Sequence, residues 1–295
     1  MALRSVGISA PAKVNLYLRV LHRRPDGFHE LDTVFLAVSL HDELLVESGG
    51  APGPVTLTLQ GPDPCAVADN LAFRAAEAFR AASGIPHAIS VHLEKRIPAG
   101  AGLGGGSSDA AAVLRALDHL HPGVVPRSEL MAVGAALGSD VPFFLGESAM
   151  ARGTGRGEVL RPLPPLPEAY VVLVLPPVHV ATGPAFAALK RNESAVREAL
   201  PAPPGSWEAV SEMATNDFEG VIAATHAEVA AALGALRDEG GRPALLSGSG
   251  AACFGVFPSL ERATAVAGRL EERLGWPAPV VTTLGALPRP GSPGG

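Results

Sequence analysis

The chain has 295 residues and a formal net charge of −6, with 47% hydrophobic and 18% charged residues. That is length for two domains with sizeable cores, and a composition that excludes a disordered chain. An acidic chain without basic clusters lacks the electrostatic footprint that holds nucleic acid or an anionic membrane, so small-molecule chemistry is expected.

The elements are expected in this order. Ser5 to Val20 and Leu31 to Val46 are rich in aliphatic residues and read as strands, the first broken only by Pro11, with a turn at Arg23-Arg24-Pro25-Asp26-Gly27 between them. Val55–Leu59 is a strand, Asn70 to Ala82 a helix stopped by Gly84, and Ala88 to Leu93 an alternating strand. The glycine-rich stretch Gly100 to Gly106 opens a helix that runs to about His119, and another helix covers Arg127 to Leu137. Four prolines within residues 161–167 mark a domain boundary. Domains of 1–163 and 164–287 are therefore expected, with a disordered tail at 288–295.

The second half alternates strand, helix, helix, strand, strand, helix, strand. Its clearest helices are Glu228 to Glu239 and Leu260 to Leu274, and the strands Ala244–Leu246 and Ala252–Phe257 flank Ser247-Gly248-Ser249-Gly250. Tyr170 to Leu175 is the most apolar run. It stops at Pro176-Pro177, far short of the ~20 residues that span a bilayer, and reads as a buried strand. The first residues lack the apolar core of a secretory signal, and Cys65 and Cys253 are too few and too distant for a disulfide framework, so a reducing cytoplasm is expected.

The chemistry concentrates in Pro98-Ala99-Gly100-Ala101-Gly102-Leu103-Gly104-Gly105-Gly106-Ser107-Ser108-Asp109. Five glycines in seven residues between a strand and a helix allow close backbone approach to a ligand and aim helix N-terminal N–H groups at it, an arrangement suited to phosphate. Ser107 and Ser108 add hydroxyls, and Ser108 is a candidate metal ligand. The alternative is a flexible linker with a serine cap. The stretch is not a Walker A loop, since no lysine follows the glycines, and no acidic residue stands after a second strand as a dinucleotide site requires.

This stretch resembles the signature of the GHMP kinases. Further motifs, Ala10-Pro11-Ala12-Lys13-Val14-Asn15-Leu16, Gly27-Phe28-His29-Glu30-Leu31, Gly138-Ser139-Asp140-Val141-Pro142-Phe143-Phe144, Asn216-Asp217-Phe218-Glu219 and Ser247 to Gly250, are similar to those of the branch that acts on 4-diphosphocytidyl-2-C-methyl-D-erythritol. They occur in family order from residue 10 to residue 257. The resemblance implies a two-domain α+β GHMP kinase fold, with a left-handed βαβ unit in the N-terminal domain and a ferredoxin-like C-terminal domain. It implies transfer of a phosphoryl group from ATP, with Mg²⁺, to the 2-hydroxyl of that cytidine diphosphate derivative in non-mevalonate isoprenoid precursor synthesis. A small-molecule substrate, no nucleic acid, no membrane, and a monomer or homodimer are the matching expectations.

Carried over residue by residue, the resemblance makes Asp140 the catalytic base and Lys13 the lysine that orients it. It gives ATP to Lys95 and to Pro98, Ala99, Gly100, Ala101, Gly102, Leu103, Gly104, Gly105, Gly106, Ser107 and Ser108. The cytidyl substrate falls to Asn15, Phe28, His29, Thr182, Phe186, Ser247 and Gly248, with Phe28 and Phe186 stacking on the base and His29 bonding its edge. Phe28 stands where the family often has tyrosine, and Ala181 where it has proline.

Spacing alone leaves other roles open. Asp140 suits a helix cap, Lys13 an edge-strand position, Lys95 a solvated lysine, Phe28 a core aromatic and Ser247 to Gly250 a plain hairpin. Asn216 or Asp217 is expected to cap a helix. Lysine is rare here, with only Lys13, Lys95 and Lys190 among 23 basic residues, so its use in the first motif points to a compact, rotatable charge. The alternatives to this substrate are homoserine or a mevalonate derivative, or a non-catalytic nucleotide-binding module, which would dispense with Lys13 and Asp140.

Overall fold

The computed structural model describes residues 2–62, 65–190 and 204–291. Strands β1 (Arg4–Arg23) and β2 (His29–Pro52) pair antiparallel along nearly their whole length. Pro11, expected to break the first strand, is accommodated by a register shift between Pro11 and Ala12, where the ladder gives up one donor without ending. A second shift, between Asn15 and Tyr17, lies beside the site described below.

Strand β3 (Val55–Gln60), helix α1 (Leu71–Ser83) and strand β4 (His87–Glu94) form a βαβ unit with β3 and β4 parallel. Asn70 caps α1 by accepting from Ala72 N at 2.9 Å, and Gly84 closes it at φ 68°, where a glycine is favoured. Helices α2 (Gly105–Leu120), α3 (Arg127–Leu137) and the five-residue α4 (Val141–Leu145) follow. The hairpin of β5 (Met150–Gly155) and β6 (Val159–Pro162) then adds to the first half of β2. Sequence reasoning missed this hairpin, because a glycine- and arginine-rich stretch carries little of the β-branched signal of a strand.

Beyond the proline-rich connection come β7 (Tyr170–Val174), α5 (Thr182–Ala188), α6 (Trp207–Met213), β8 (Thr215–Asn216), α7 (Glu219–Thr225), α8 (Ala227–Asp238), β9 (Ala244–Leu246), β10 (Cys253–Phe257), α9 (Leu260–Leu274) and β11 (Val280–Thr282). Two helices were expected between β7 and β9. The described part of that interval holds four helices and the short β8, since helices of seven residues show too few turns for a period to register.

The first sheet has the order β3-β4-β2-β1-β8, with β5 and β6 branching from β2. The second is antiparallel in the order β11-β7-β10-β9, the ferredoxin-like arrangement in which the first and third strands form the centre. Val171 and Leu173 of β7 join Leu16, Val34 and Phe254 in a buried cluster drawn from both halves of the chain, while Val172 and Val174 pack with Val229, Leu233 and Val266 of the helices. Cover on both faces explains why this strand reads as an uninterrupted apolar run. β8 returns to pair in parallel with Tyr17 and Leu18 of β1, so the second half contributes a strand to the first sheet.

Of the expected disordered tail, the first residues pack. Leu287 just before it is buried, and Gly291 N donates to Gly7 O at 2.8 Å; residues 292–295 lie outside the described residues. Among the described residues no helix is long and apolar enough to cross a membrane.

Candidate active site

The stretch between β4 and α2 is a loop whose Gly100, Gly102 and Gly104 all have positive φ, of 68°, 77° and 74°. At Gly102 the requirement is absolute: a Cβ there would stand 2.1 Å from Ser247 O. The loop is pinned from two directions. Lys13 N donates to Leu103 O at 2.9 Å, Ala252 N to Ala101 O at 3.1 Å and Ser247 Oγ to Gly102 O at 3.0 Å. Helix α2 then begins behind Gly104 with no side-chain cap, so its leading N–H groups and the positive end of its dipole are offered to a ligand. The loop walls a cavity of about 540 Å³ that also takes in Cys65, Asn70 and Leu71 at one end and Asp140 and Phe186 at the other.

Lys13 and Asp140 meet on the wall of this cavity. Lys13 Nζ lies 3.6 Å from Asp140 Oδ2 and donates to Asn15 Oδ1 at 2.7 Å and to Gly102 O at 2.8 Å. Only 4% of Lys13 is exposed. Burial pulls its pKa below the ordinary lysine value, and the Asp140 carboxylate works against that pull. Asp140 occupies the N-cap position of α4, yet its side chain accepts no capping hydrogen bond and instead faces the lysine, which settles the choice between a cap and a cavity carboxylate.

Asn15 lines the cavity too. Its Oδ1 also accepts from Gly248 N at 3.0 Å and its Nδ2 donates to Thr33 Oγ1 at 2.8 Å, so the carboxamide ties β1 to the turn between β9 and β10.

A second cavity of about 760 Å³ meets the first and shares Leu31, Asp140, Thr182 and Phe186 with it. His29 stacks on Phe186 with ring centroids 4.9 Å apart and planes 21° from parallel, and Phe186 meets the edge of Phe218 at 4.8 Å. Phe28 is no core aromatic: half of it is exposed, with the Arg156 guanidinium 4.7 Å above its ring. Arg23, Arg156 and Lys190 line this cavity, giving it a cationic rim.

Other expected residues divide between the walls of the first cavity, where Lys95 also stands, and the structure behind them. Ser247 is fully buried, lines neither cavity and braces Gly102, so it acts as a strut where a substrate contact was expected. Gly248 and Thr182 do line the first cavity, Thr182 with its hydroxyl 3.3 Å from Ser249 Oγ. Ser108 is buried behind the cavity wall, while Ser107 lines it. Lys95 is not a solvated lysine: its ammonium is held between Asp42 and Asp109. Neither Asn216 nor Asp217 is the N-cap of α7, which begins after Phe218; Asn216 Nδ2 donates to Leu246 O and Gly248 O, both at 2.8 Å, and Asp217 Oδ2 accepts from Val20 N.

Sequence reasoning missed Asp42, Thr33, Phe35 and Arg156. None sits in a motif with chemical spacing, and only the arginine between two glycines offered a signal.

Comparison with known proteins bears on this geometry. The family model described as GHMP kinases N terminal domain matches residues 70–147, and that described as GHMP kinases C terminal matches residues 185–275. A 4-diphosphocytidyl-2-C-methyl-D-erythritol kinase from Solibacter usitatus is 44% identical over 262 residues, 86% of this chain and 82% of that protein. One from Pelobacter propionicus is 38% identical over 96% of this chain and its own whole length. A crystal structure of 4-(cytidine 5'-diphospho)-2C-methyl-D-erythritol kinase superposes with a TM-score of 0.75 at 39% identity, covering 94% of this chain and 98% of that one. The homoserine kinase from Cytophaga hutchinsonii superposes at 0.71 with 18% identity, a likeness of fold alone.

Proposed function

The chain belongs to the GHMP kinases and, within them, to the 4-diphosphocytidyl-2-C-methyl-D-erythritol kinases, and we propose that the two cavities meeting at Asp140 divide its substrates, ATP at the glycine-rich loop and the cytidyl compound at the Phe28 and His29 side. The enzyme is an ATP-dependent kinase that phosphorylates 4-diphosphocytidyl-2-C-methyl-D-erythritol, a step of the non-mevalonate route to isoprenoid precursors. What carries the division is Asp140 on the wall common to both cavities, opposite Lys13.

In-line phosphoryl transfer asks the protein for positioning and charge compensation more than covalent chemistry. The acceptor 2-hydroxyl lies against Asp140, whose carboxylate takes its proton as the new O–P bond forms and the bond to the ADP oxygen breaks. Lys13 fixes Asp140 and offers its ammonium to the transferred group, whose negative charge favours the protonated lysine that burial disfavours. The α2 N-terminus and the loop amides face the remaining phosphates. His29 and Phe186 present an aromatic pair to the cytosine, while Arg23, Arg156 and Lys190 surround the cavity that receives the diphosphate.

Mg²⁺ fits the residues present. Ser108 Oγ and Asp109 Oδ1 are buried oxygens without a hydrogen-bond partner among the described residues, and no cluster of three acidic, histidine or cysteine side chains competes there for a metal. Asp109 lines the glycine-rich cavity and Ser108 lies directly behind its wall, and two such oxygens match an ion that keeps phosphate and water as its other ligands. Bound, it would neutralise charge developing on the phosphates; Ser108 and Asp109 are the residues that would hold it.

The test is ADP release with the cytidyl compound, mevalonate, phosphomevalonate and homoserine as separate acceptors. Turnover confined to the cytidyl compound is expected, and equal or better turnover with any other acceptor overturns the assignment.

A further inference from the structure

Asp42 lies on β2, is fully buried and lines neither cavity, yet it gathers three donors at the foot of the glycine-rich loop. Its Oδ1 accepts from Arg96 N and from Ile97 N, the latter at 2.8 Å, which fixes the backbone where the chain leaves β4 and enters the loop. Its Oδ2 accepts from Lys95 Nζ. That same ammonium donates to Asp109 Oδ2 at 2.8 Å on α2, where the loop ends. One carboxylate therefore grips the loop entrance directly and its exit through two further side chains.

The placement is tight. A Cβ on Gly105 would stand 3.2 Å from Lys95 Nζ and 2.9 Å from Ile97 Cγ2, so entrance and exit close on each other across the first residue of α2. A loop so rich in glycine has more backbone freedom to lose than any other, and a binding site that must order itself on arrival of the ligand gives up affinity for it. Charged hydrogen bonds inside a buried setting are the strong kind, and removing one partner leaves the others uncompensated.

We propose that Asp42 is a positioning residue that holds the glycine-rich loop in its ATP-receiving shape, by binding the Arg96 and Ile97 amides and by fixing Lys95 against Asp109. This rests on the loop being the nucleotide site. It separates Asp42 from every residue that touches substrate: its loss weakens ATP binding without touching the cytidyl cavity, whose lining comes from the turn after β1, the start of β2, the β5–β6 hairpin, the start of α4 and α5.

The experiment is calorimetric titration of wild type, Asp42→Asn and Asp42→Ala with ATP and, separately, with the cytidyl substrate, alongside thermal melting of each protein. Asp42→Asn keeps an oxygen for the two amides and loses the carboxylate oxygen that accepts from Lys95, so it is the milder of the two variants. The expected result is an ATP Kd weakened at least fivefold in Asp42→Asn, and further in Asp42→Ala if it folds, with the cytidyl Kd within twofold of wild type. An ATP Kd changed by less than fivefold in Asp42→Asn, or equal weakening for both ligands, overturns the proposal. Wild type that binds the cytidyl compound but not ATP would overturn the nucleotide assignment of the loop instead.

Discussion

Lys13 and Asp140 stand 127 positions apart in the chain and 3.6 Å apart in space, one on β1 of the first sheet and the other at the head of a five-residue helix. Burial of the lysine and the shared cavity wall of the aspartate make them a pair with a direction, the ammonium toward the loop carbonyl of Gly102 and the carboxylate toward the second cavity.

Replacing Asp140 by alanine should lower kcat at least a hundredfold, ~2.7 kcal/mol of barrier, and leave the ATP Kd within twofold. Steady-state kinetics with calorimetry reads both. A loss under tenfold would remove Asp140 from the role of base.

Lys13→Arg should be nearly as damaging as Lys13→Ala. Lys13 Cγ and Cε stand 3.1 and 3.2 Å from where a Cβ on Gly104 would lie, and Nζ donates at 2.7 Å to Asn15 Oδ1 and at 2.8 Å to Gly102 O, so a planar guanidinium cannot take the ammonium's place and keep both bonds. Measured kcat for the arginine variant above a tenth of wild type would show that charge alone suffices.

Gly102→Ala should lose ATP binding and destabilise the fold by ~1–3 kcal/mol, combining a left-handed φ with contact on Ser247 O. Gly106→Ala serves as its control, being helical with only Leu71 Cδ1 at 3.6 Å. Equal denaturation midpoints for the two variants would contradict this account of the loop.

His29→Ala should raise KM for the cytidyl substrate roughly tenfold, the scale of one lost aromatic pair, and leave KM for ATP unchanged. Parallel changes in both values would mean that the Phe186 stack supports the whole cleft and not one substrate.

His121 is buried against Ser48, and burial, with Arg4 and His87 nearby, holds its pKa below the ordinary histidine value. The unfolded chain thus takes up a proton that the folded chain refuses as pH falls below ~6.5. Stability should decline from pH 7.5 to 5, and less steeply in His121→Asn. Denaturant titrations across that range giving the same slope for both proteins would assign the decline to other groups.

Much of the site was legible because it is local. Strand, glycine-rich loop and helix follow one another from Ala88 to Leu120, so the order of elements that makes a phosphate-type loop is written in adjacent residues, while distant groups pin its shape. Phe28 and His29 were legible as a motif, but their fates were not: one is half exposed beneath Arg156, the other stacks on Phe186 from more than 150 positions away. Ser247 and Lys95 went to roles that no spacing announces, since a hydroxyl looks alike whether it meets a ligand or a loop carbonyl.

By itself the sequence determined the elements with strong periods, the phosphate-type loop and the motifs of the family, because those depend on residues within a few positions of one another. Only the tertiary structure decided that Asp42 grips the loop, that Asp140 faces Lys13 and does not cap α4, and that two cavities share one carboxylate. Each of those depends on the register of β1 on β2 and on the return of the second half against the first, and such long-range pairings are set by packing across both cores, which no local pattern encodes.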